Sequence, residues 1–300
     1  MTTPVQTQRL TKRYGALTAV DALDLEIRPG EVYGFLGPNG AGKTTTLRMI
    51  LGLITPTSGE VRVFGRAPGT PGHLDRVGSL VEGPAFYPYL SGRDNLRVMA
   101  RHAGVPAGRI AVVLDQVELT GRAGDRYATY SLGMKQRLGV AAALLKDPRL
   151  VVLDEPTNGL DPAGMADMRT LIRRLGAAGC TVLLSSHLMT EVQELCDRVG
   201  VISGGRLVAE STVAELRGAR TLHVVADPLD AAAALVRTRW GTDAVRVDGD
   251  ALDLAVDPDE AAAVNAELVG AGVRVSRLTT RDRSLEQAFF DLTRQEEHHV

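Results

Sequence analysis

Cysteine is almost missing from this chain, with two residues, Cys180 and Cys196, among 300. Two are too few for a disulfide framework, and their spacing matches no metal-ligand pattern, so both read as core thiols of a reducing compartment. Net charge is also lacking, at −2. No global field draws such a chain to nucleic acid or to anionic lipid, and no nucleic-acid partner is expected. Long apolar runs are absent too. The longest lies around Gly139 to Leu145, well short of the roughly 18 residues of a membrane span. The start, Met1-Thr2-Thr3-Pro4, has no charged region leading into an apolar stretch, so no signal peptide is expected. These absences describe a cytosolic chain that reaches a membrane only through a partner. What is present is ordinary: 44% hydrophobic and 23% charged residues, as in soluble globular proteins. The length suits one domain of ordinary size plus a small one.

Lysine is scarce, so a glycine-rich pattern ending in lysine rarely arises here by chance. Gly37-Pro38-Asn39-Gly40-Ala41-Gly42-Lys43-Thr44-Thr45 fits G-x-x-x-x-G-K-[ST], the phosphate-binding loop. Val32 to Leu36 before it reads as a buried strand, and Thr45 to Leu51 after it as the start of a helix. In that geometry backbone N–H groups and a helix N-terminus converge on an anion. Lys43 adds a mobile positive charge for the β- and γ-phosphates, and Thr44 offers a hydroxyl to Mg²⁺. Further on, Leu150-Val151-Val152-Leu153-Asp154-Glu155 puts two carboxylates at the end of a buried strand. A strand-end aspartate orders Mg²⁺ in phosphate-loop enzymes, and Asp154 fits that role. Glu155 then suits the general base that polarises the attacking water.

Tyr130-Ser131-Leu132-Gly133-Met134-Lys135-Gln136-Arg137 precedes that strand. With it, residues from about 4 to 215 resemble the ATP-binding subunits of ATP-binding cassette (ABC) transporters, with the motifs in the family's order. The family's signature usually reads Leu-Ser-Gly-Gly-Gln. Ser131 and Gly133 match its serine and second glycine, whereas Tyr130, Leu132 and Met134 depart from it. The resemblance implies that this segment acts in trans, capping the γ-phosphate held by a second subunit. It implies that Asp161, in Pro156-Thr157-Asn158-Gly159-Leu160-Asp161, lies where the subunits meet. It makes His187 a switch histidine on the γ-phosphate and Tyr14 the aromatic that stacks on adenine.

The resemblance implies ATP and Mg²⁺ as cofactors, an α/β phosphate-loop NTPase fold with a mainly parallel core sheet, and a helical subdomain at about 83–148. Strands are expected at Val5–Leu10, Ala22–Ile27, Val61–Phe64, Val77–Val81 and Thr181–Leu184, and a mostly helical region from Ser91, as N-cap, to Glu118. The cassette is expected over 1–218 and a small accessory domain over 219–300. In the latter, segments near 222–225, 231–236, 244–247, 252–256, 261–269 and 273–278 follow the order β-α-β-β-α-β, a split βαβ arrangement. A last helix at Ser284–Leu292 and a frayed tail from Gln295 are expected after it.

Where the family usually has glutamine after the strand at Val77, this chain has Glu82. That position touches the metal's water shell and links ATP to the membrane subunit, so Glu82 is expected as a metal-shell ligand. Glu82, Pro84-Ala85-Phe86-Tyr87 and the variant signature are similar to exporters conferring resistance or self-immunity to bacitracin and lantibiotic-type peptides. Leu285-Glu286-Gln287-Ala288-Phe289-Phe290 is similar to the tail of daunorubicin-type exporter ATPases. Phe86, Tyr87 and Tyr89 either line a groove for a membrane subunit's coupling helix or pack the local core.

The reading is an ATPase that homodimerises head to tail and drives a polytopic transmembrane permease from the cytoplasmic face, exporting a drug or antimicrobial peptide. The alternatives are a soluble ABC-type ATPase on ribosomes or nucleic acid and an importer ATPase. Against the former, there is one cassette with no charged linker, and about 90 residues between Thr44 and Ser131 are too few for a long coiled coil. Against the latter, the C-terminal order differs from the β-rich regulatory domain of sugar importers. Glu82→Gln is expected to alter the Mg²⁺ dependence of ATP turnover; unchanged ATPase activity, Mg²⁺ dependence and transport would remove Glu82 from the metal shell.

Overall fold

The computed structural model describes residues 2–217 and 221–281. The expected last helix and tail lie outside these residues. The chain divides into two compact units between Thr212 and Val213, a few residues before the boundary read from the sequence.

In the first unit, β1 (Val5–Tyr14) and β2 (Leu17–Ile27) form an antiparallel hairpin. Both strands are longer than the sequence suggests. Register shifts between Thr7 and Arg13 interrupt the alternation of buried and exposed residues, and without that period the pattern loses its strand signal. Next come β3 (Val32–Leu36), α1 (Lys43–Ile50) and β4 (Ser58–Val63). The last of these pairs with β1 to complete a three-stranded sheet. Further along are β5 (Val77–Leu80), α2 (Gly92–His102), α3 (Gly108–Gln116) and α4 (Leu132–Ala143). Ser91 caps α2, its hydroxyl accepting from the Asp94 N–H at 3.0 Å. The expected single helical stretch is broken by Gly104, at φ +66°, and Pro106, since proline disfavours helical backbone before it.

The unit ends with β6 (Leu150–Asp154), α5 (Pro162–Ala177), β7 (Thr181–Ser186), α6 (Met189–Leu195), β8 (Arg198–Ser203) and β9 (Arg206–Thr212). A six-stranded sheet runs β5-β6-β7-β3-β8-β9. Every pair is parallel except β8–β9, a hairpin through Gly204-Gly205. Residues of β3 and β7 are buried throughout, which explains their uninterrupted apolar character. β3, β7 and β6 are parallel neighbours, so their C-terminal ends lie side by side, with Leu36 opposite Ser186 and Asp154 opposite Ser185. Loops leaving that edge share one crevice, the usual ligand position of open α/β sheets.

The second unit holds α7 (Val213–Arg217), β10 (Thr221–Asp227), α8 (Leu229–Trp240), β11 (Val245–Asp248), β12 (Ala251–Leu254), α9 (Ala261–Gly270) and β13 (Arg274–Arg281). Its antiparallel sheet runs β11-β12-β10-β13. Leu222, Val224, Leu252 and Leu254 pack with Val236 of α8 and with Val264 and Leu268 of α9 in a core of its own. This is the split βαβ topology.

Both cysteines are free. Burial pushes the Cys196 thiol up and that of Cys180 to about 11, which suits inert core thiols. Among the described residues no helix is long and apolar enough to cross a membrane.

A polar network backs the central sheet. Arg198 bridges Glu31 at 3.1 Å and Glu210 at 2.9 Å, and the buried Tyr33 hydroxyl donates to Glu210 at 2.8 Å. Gly200 makes room for that hydroxyl, since an added Cβ would lie 2.2 Å from it. Gly200→Ala is expected to cost about 1–3 kcal/mol by overpacking, seen as a lower urea midpoint; an unchanged midpoint would contradict the fit.

Candidate ATP site

The phosphate loop joins β3 to α1. Gly37 packs so closely that a Cβ would meet the Ile202 carbonyl oxygen at 2.4 Å. Gly42 combines φ +106° with a virtual Cβ 2.4 Å from the Ala19 carbonyl oxygen, a backbone only glycine adopts without strain. It turns the chain into α1, which has no side-chain cap and no acidic residue in its first turn. The first N–H groups of a helix lack intrahelical acceptors, so this uncapped start with a lysine beside it suits phosphate.

Lys43 is 5% exposed. Its Nζ curls back over the loop, donating to the carbonyls of Gly37 at 2.7 Å and Pro38 at 3.2 Å. It also pairs with Glu155 Oε1 at 3.2 Å. Glu155 Oε2 lies 2.7 Å from His187 Nδ1; an ionised carboxylate can only accept, so the hydrogen sits on Nδ1. Glu155 has φ +49°, a strained backbone for a residue with a Cβ. Its N–H is held by the hydroxyl of Ser185 at 3.0 Å and the carbonyl of Ser185 at 3.2 Å. Neighbouring Asp154 accepts from Thr44 Oγ1 at 2.8 Å on one oxygen and from Ser185 Oγ at 2.5 Å on the other. Lys43, Thr44, Asp154, Glu155 and His187 are thus brought from three loops into one hydrogen-bonded set. Of the other loop residues, Pro38 touches this set through its carbonyl; Asn39, Gly40 and Ala41 lie along the same loop and Thr45 in the first turn of α1.

The residues fit Mg²⁺. The Thr44 hydroxyl and Asp154 carboxylate are adjacent hard oxygen donors, the type this ion prefers alongside water and substrate phosphates. Among the described residues no group of three or more His, Cys, Asp or Glu side chains is placed to hold a metal unaided. Nucleotide phosphates would therefore complete the shell.

Glu82 follows β5, whose Leu80 lies opposite Leu153, the residue before Asp154. Its carboxylate is ion-paired with Arg48, on the last turn of α1. Tyr14, at the end of β1, is 48% exposed and has Lys12 Nζ 5.1 Å from its ring centre.

Ser131, Gly133 and Asp161 form a separate group. Ser131 caps α4 by accepting from the Met134 N–H at 3.2 Å, and Asp161 caps α5 by accepting from the Gly164 N–H at 2.9 Å. Gly133 faces Leu160 and Gly164, so the starts of α4 and α5 lie together. Tyr130, a departure from the usual signature, is buried and donates to the Arg122 carbonyl at 2.7 Å, and burial raises its phenol. That anchor accounts for a large aromatic there. Phe86 packs edge-on against Tyr127, while Tyr87 and Tyr89 are exposed.

Sequence reasoning missed Ser185, which donates to the Asp154 carboxylate and accepts the Glu155 backbone N–H. The available signal was a pair of serines, Ser185 and Ser186, closing an apolar strand; both are fully buried.

Such a loop, helix start and paired carboxylates define a phosphate-loop nucleoside triphosphatase. Residues 20–158 match the ABC transporter family model. The chain is 40% identical over 299 residues to the bacitracin transport ATP-binding protein BcrA of Bacillus licheniformis, covering 97% of this chain and 98% of that one. It is 40% identical over 203 residues to the lantibiotic transport ATP-binding protein SrtF of Streptococcus pyogenes, covering 68% and 88%. A solved ATP-binding subunit of an ABC transporter superposes with a TM-score of 0.64 at 28% identity, covering 72% of this chain and 92% of that one. The chain belongs to the ATP-binding subunits of ABC transporters and is an ATPase.

Lys43→Ala removes the loop's charged donor, and charge-assisted hydrogen bonds contribute about 1.5–3 kcal/mol. ATP affinity is expected to fall by roughly 10- to 100-fold in equilibrium binding with a fluorescent analogue; an unchanged dissociation constant would contradict the loop assignment.

Proposed function

We propose that this chain is the ATP-hydrolysing subunit of a membrane exporter of an antimicrobial peptide or drug, acting as a head-to-tail homodimer on the cytoplasmic face of a polytopic permease. The observation that carries the export reading is the similarity to a bacitracin transport protein over 97% of this chain and 98% of that one. It extends through both compact units and not just the nucleotide-binding one.

The site supports a sequence of steps. Lys43 and His187 both engage the Glu155 carboxylate. An arriving triphosphate offers Lys43 stronger acceptors, and the lysine turns from Glu155 to the β- and γ-phosphates. Glu155 is then free to take a proton from the attacking water. His187 holds the γ-phosphate end, and Thr44 and Asp154 would hold Mg²⁺, which when bound would supply positive charge to the phosphates. Tyr14 stacks on adenine. Ser131 and Gly133 of a second copy close each site with the helix start of α4, next to Asp161 at the subunit contact. Catalysis here is positioning and charge neutralisation.

Glu155→Gln keeps the shape of the site but removes the base. ATP binding is expected to persist, turnover to fall by at least about 100-fold, and a nucleotide-loaded dimer to accumulate on size exclusion. Normal turnover would exclude Glu155 as the base, and a monomer at every ATP concentration would exclude the paired site. Chelating Mg²⁺ is expected to abolish turnover in the unaltered protein. For the export reading, tagged chain isolated from native membranes in mild detergent is expected to bring down a stoichiometric polytopic protein; recovery only from the soluble fraction would overturn it.

A further inference from the structure

Glu191 is a carboxylic acid on α6, four residues after His187, with 1% of its surface exposed. Its Oε2 accepts from the Ser186 hydroxyl at 2.7 Å. Its Oε1 is buried with no hydrogen-bond partner among the described residues. Burying a carboxyl group half-satisfied costs free energy on folding, partly offset by its place in the first turn of α6, where the helix start favours an acid.

The bond to Ser186 matters because of what else Ser186 holds. A hydroxyl has one hydrogen and two lone pairs. The hydrogen goes to Glu191 at 2.7 Å rather than to the Leu188 carbonyl at 3.4 Å. The oxygen then accepts the Leu188 N–H at 3.0 Å. The residues on either side of His187 are therefore clamped by one side chain. The Ser186 carbonyl accepts the N–H of Gly37, the first residue of the phosphate loop, at 3.3 Å. A fully buried serine thus ties the His187 turn to the phosphate loop, and the acid behind it fixes the direction of its hydroxyl.

We infer that Glu191 is a positioning residue for ATP turnover: by holding Ser186, it sets the turn that aims His187 at Glu155 and at the γ-phosphate. The acid does not touch nucleotide; it acts through Ser186 and His187. The inference rests on the reading that His187 serves turnover, and it assigns what holds this turn in place.

The test compares Glu191→Ala, Glu191→Gln, Ser186→Ala, His187→Ala and the Glu191→Ala/His187→Ala double variant in the full chain. Loss of a partner that orients a working histidine typically costs 10- to 100-fold. Glu191→Ala is expected to lower kcat by about tenfold with the KM for ATP within about twofold. Glutamine, which still accepts from Ser186, is expected to restore most of the rate. In the His187→Ala background, removing Glu191 is expected to have no further effect on kcat, because its route to the chemistry is already gone. An equal further loss there would show a merely structural role and overturn the inference.

A second readout needs no nucleotide. Hydrogen exchange of the Leu188 amide in the nucleotide-free protein is expected to accelerate by at least tenfold in Glu191→Ala and in Ser186→Ala. Unchanged protection would overturn the clamp. If Glu191→Ala does not fold, Ser186→Ala removes the same hydroxyl with little change in volume and must reproduce both effects. Full turnover in His187→Ala would defeat the reading of His187 itself, a failure distinct from loss of the clamp, which the Leu188 amide decides alone.

Discussion

The site depends on the lateral order of three strands. β3, β7 and β6 are parallel neighbours, though far apart along the chain. Their shared direction brings the phosphate loop, the His187 turn and the Asp154-Glu155 pair to the same edge. Each loop is then fastened to its neighbour by a specific bond: Gly37 to the Ser186 carbonyl, Ser185 to Asp154, and Thr44 to Asp154. A different order with the same strands would leave the same residues unable to meet.

Within that frame, one cation balances the site. Lys43 is held by two carbonyls of its own loop and by Glu155. Lys43 and Glu155 therefore neutralise each other. Low exposure strengthens such charge pairs. Ser185 and Ser186 supply the rigid floor, each spending its hydroxyl on a carboxylate, Asp154 for one and Glu191 for the other.

The residues that depart from the usual family pattern have local physical accounts. Tyr130 fills a buried position and reaches the Arg122 carbonyl, so its bulk is structural. Glu82 has Arg48 as countercharge, so the negative charge it adds relative to glutamine is paired. The second unit carries its own core.

The chemistry was largely legible in the sequence because it is local. The glycine spacing, the lysine and threonine after it, and two acids at the end of an apolar strand are each read within a few residues, as is the alternation that yields the split βαβ unit. The β1–β2 hairpin extends past the expected strands because bulges break its alternation. Ser185 and Glu191 escaped notice because a buried serine or glutamate looks like any other in one dimension. The metal-shell expectation for Glu82 comes from its match to the family's glutamine position, whereas its ion pair with Arg48, 34 positions away, is visible only in the fold. Sequence alone determined which groups exist and which short segments hold them. The tertiary structure decided which carboxylate faces which cation and which hydroxyl supports which acid, since hydrogen bonds and ion pairs depend on distances of a few ångströms that only strand order and packing set.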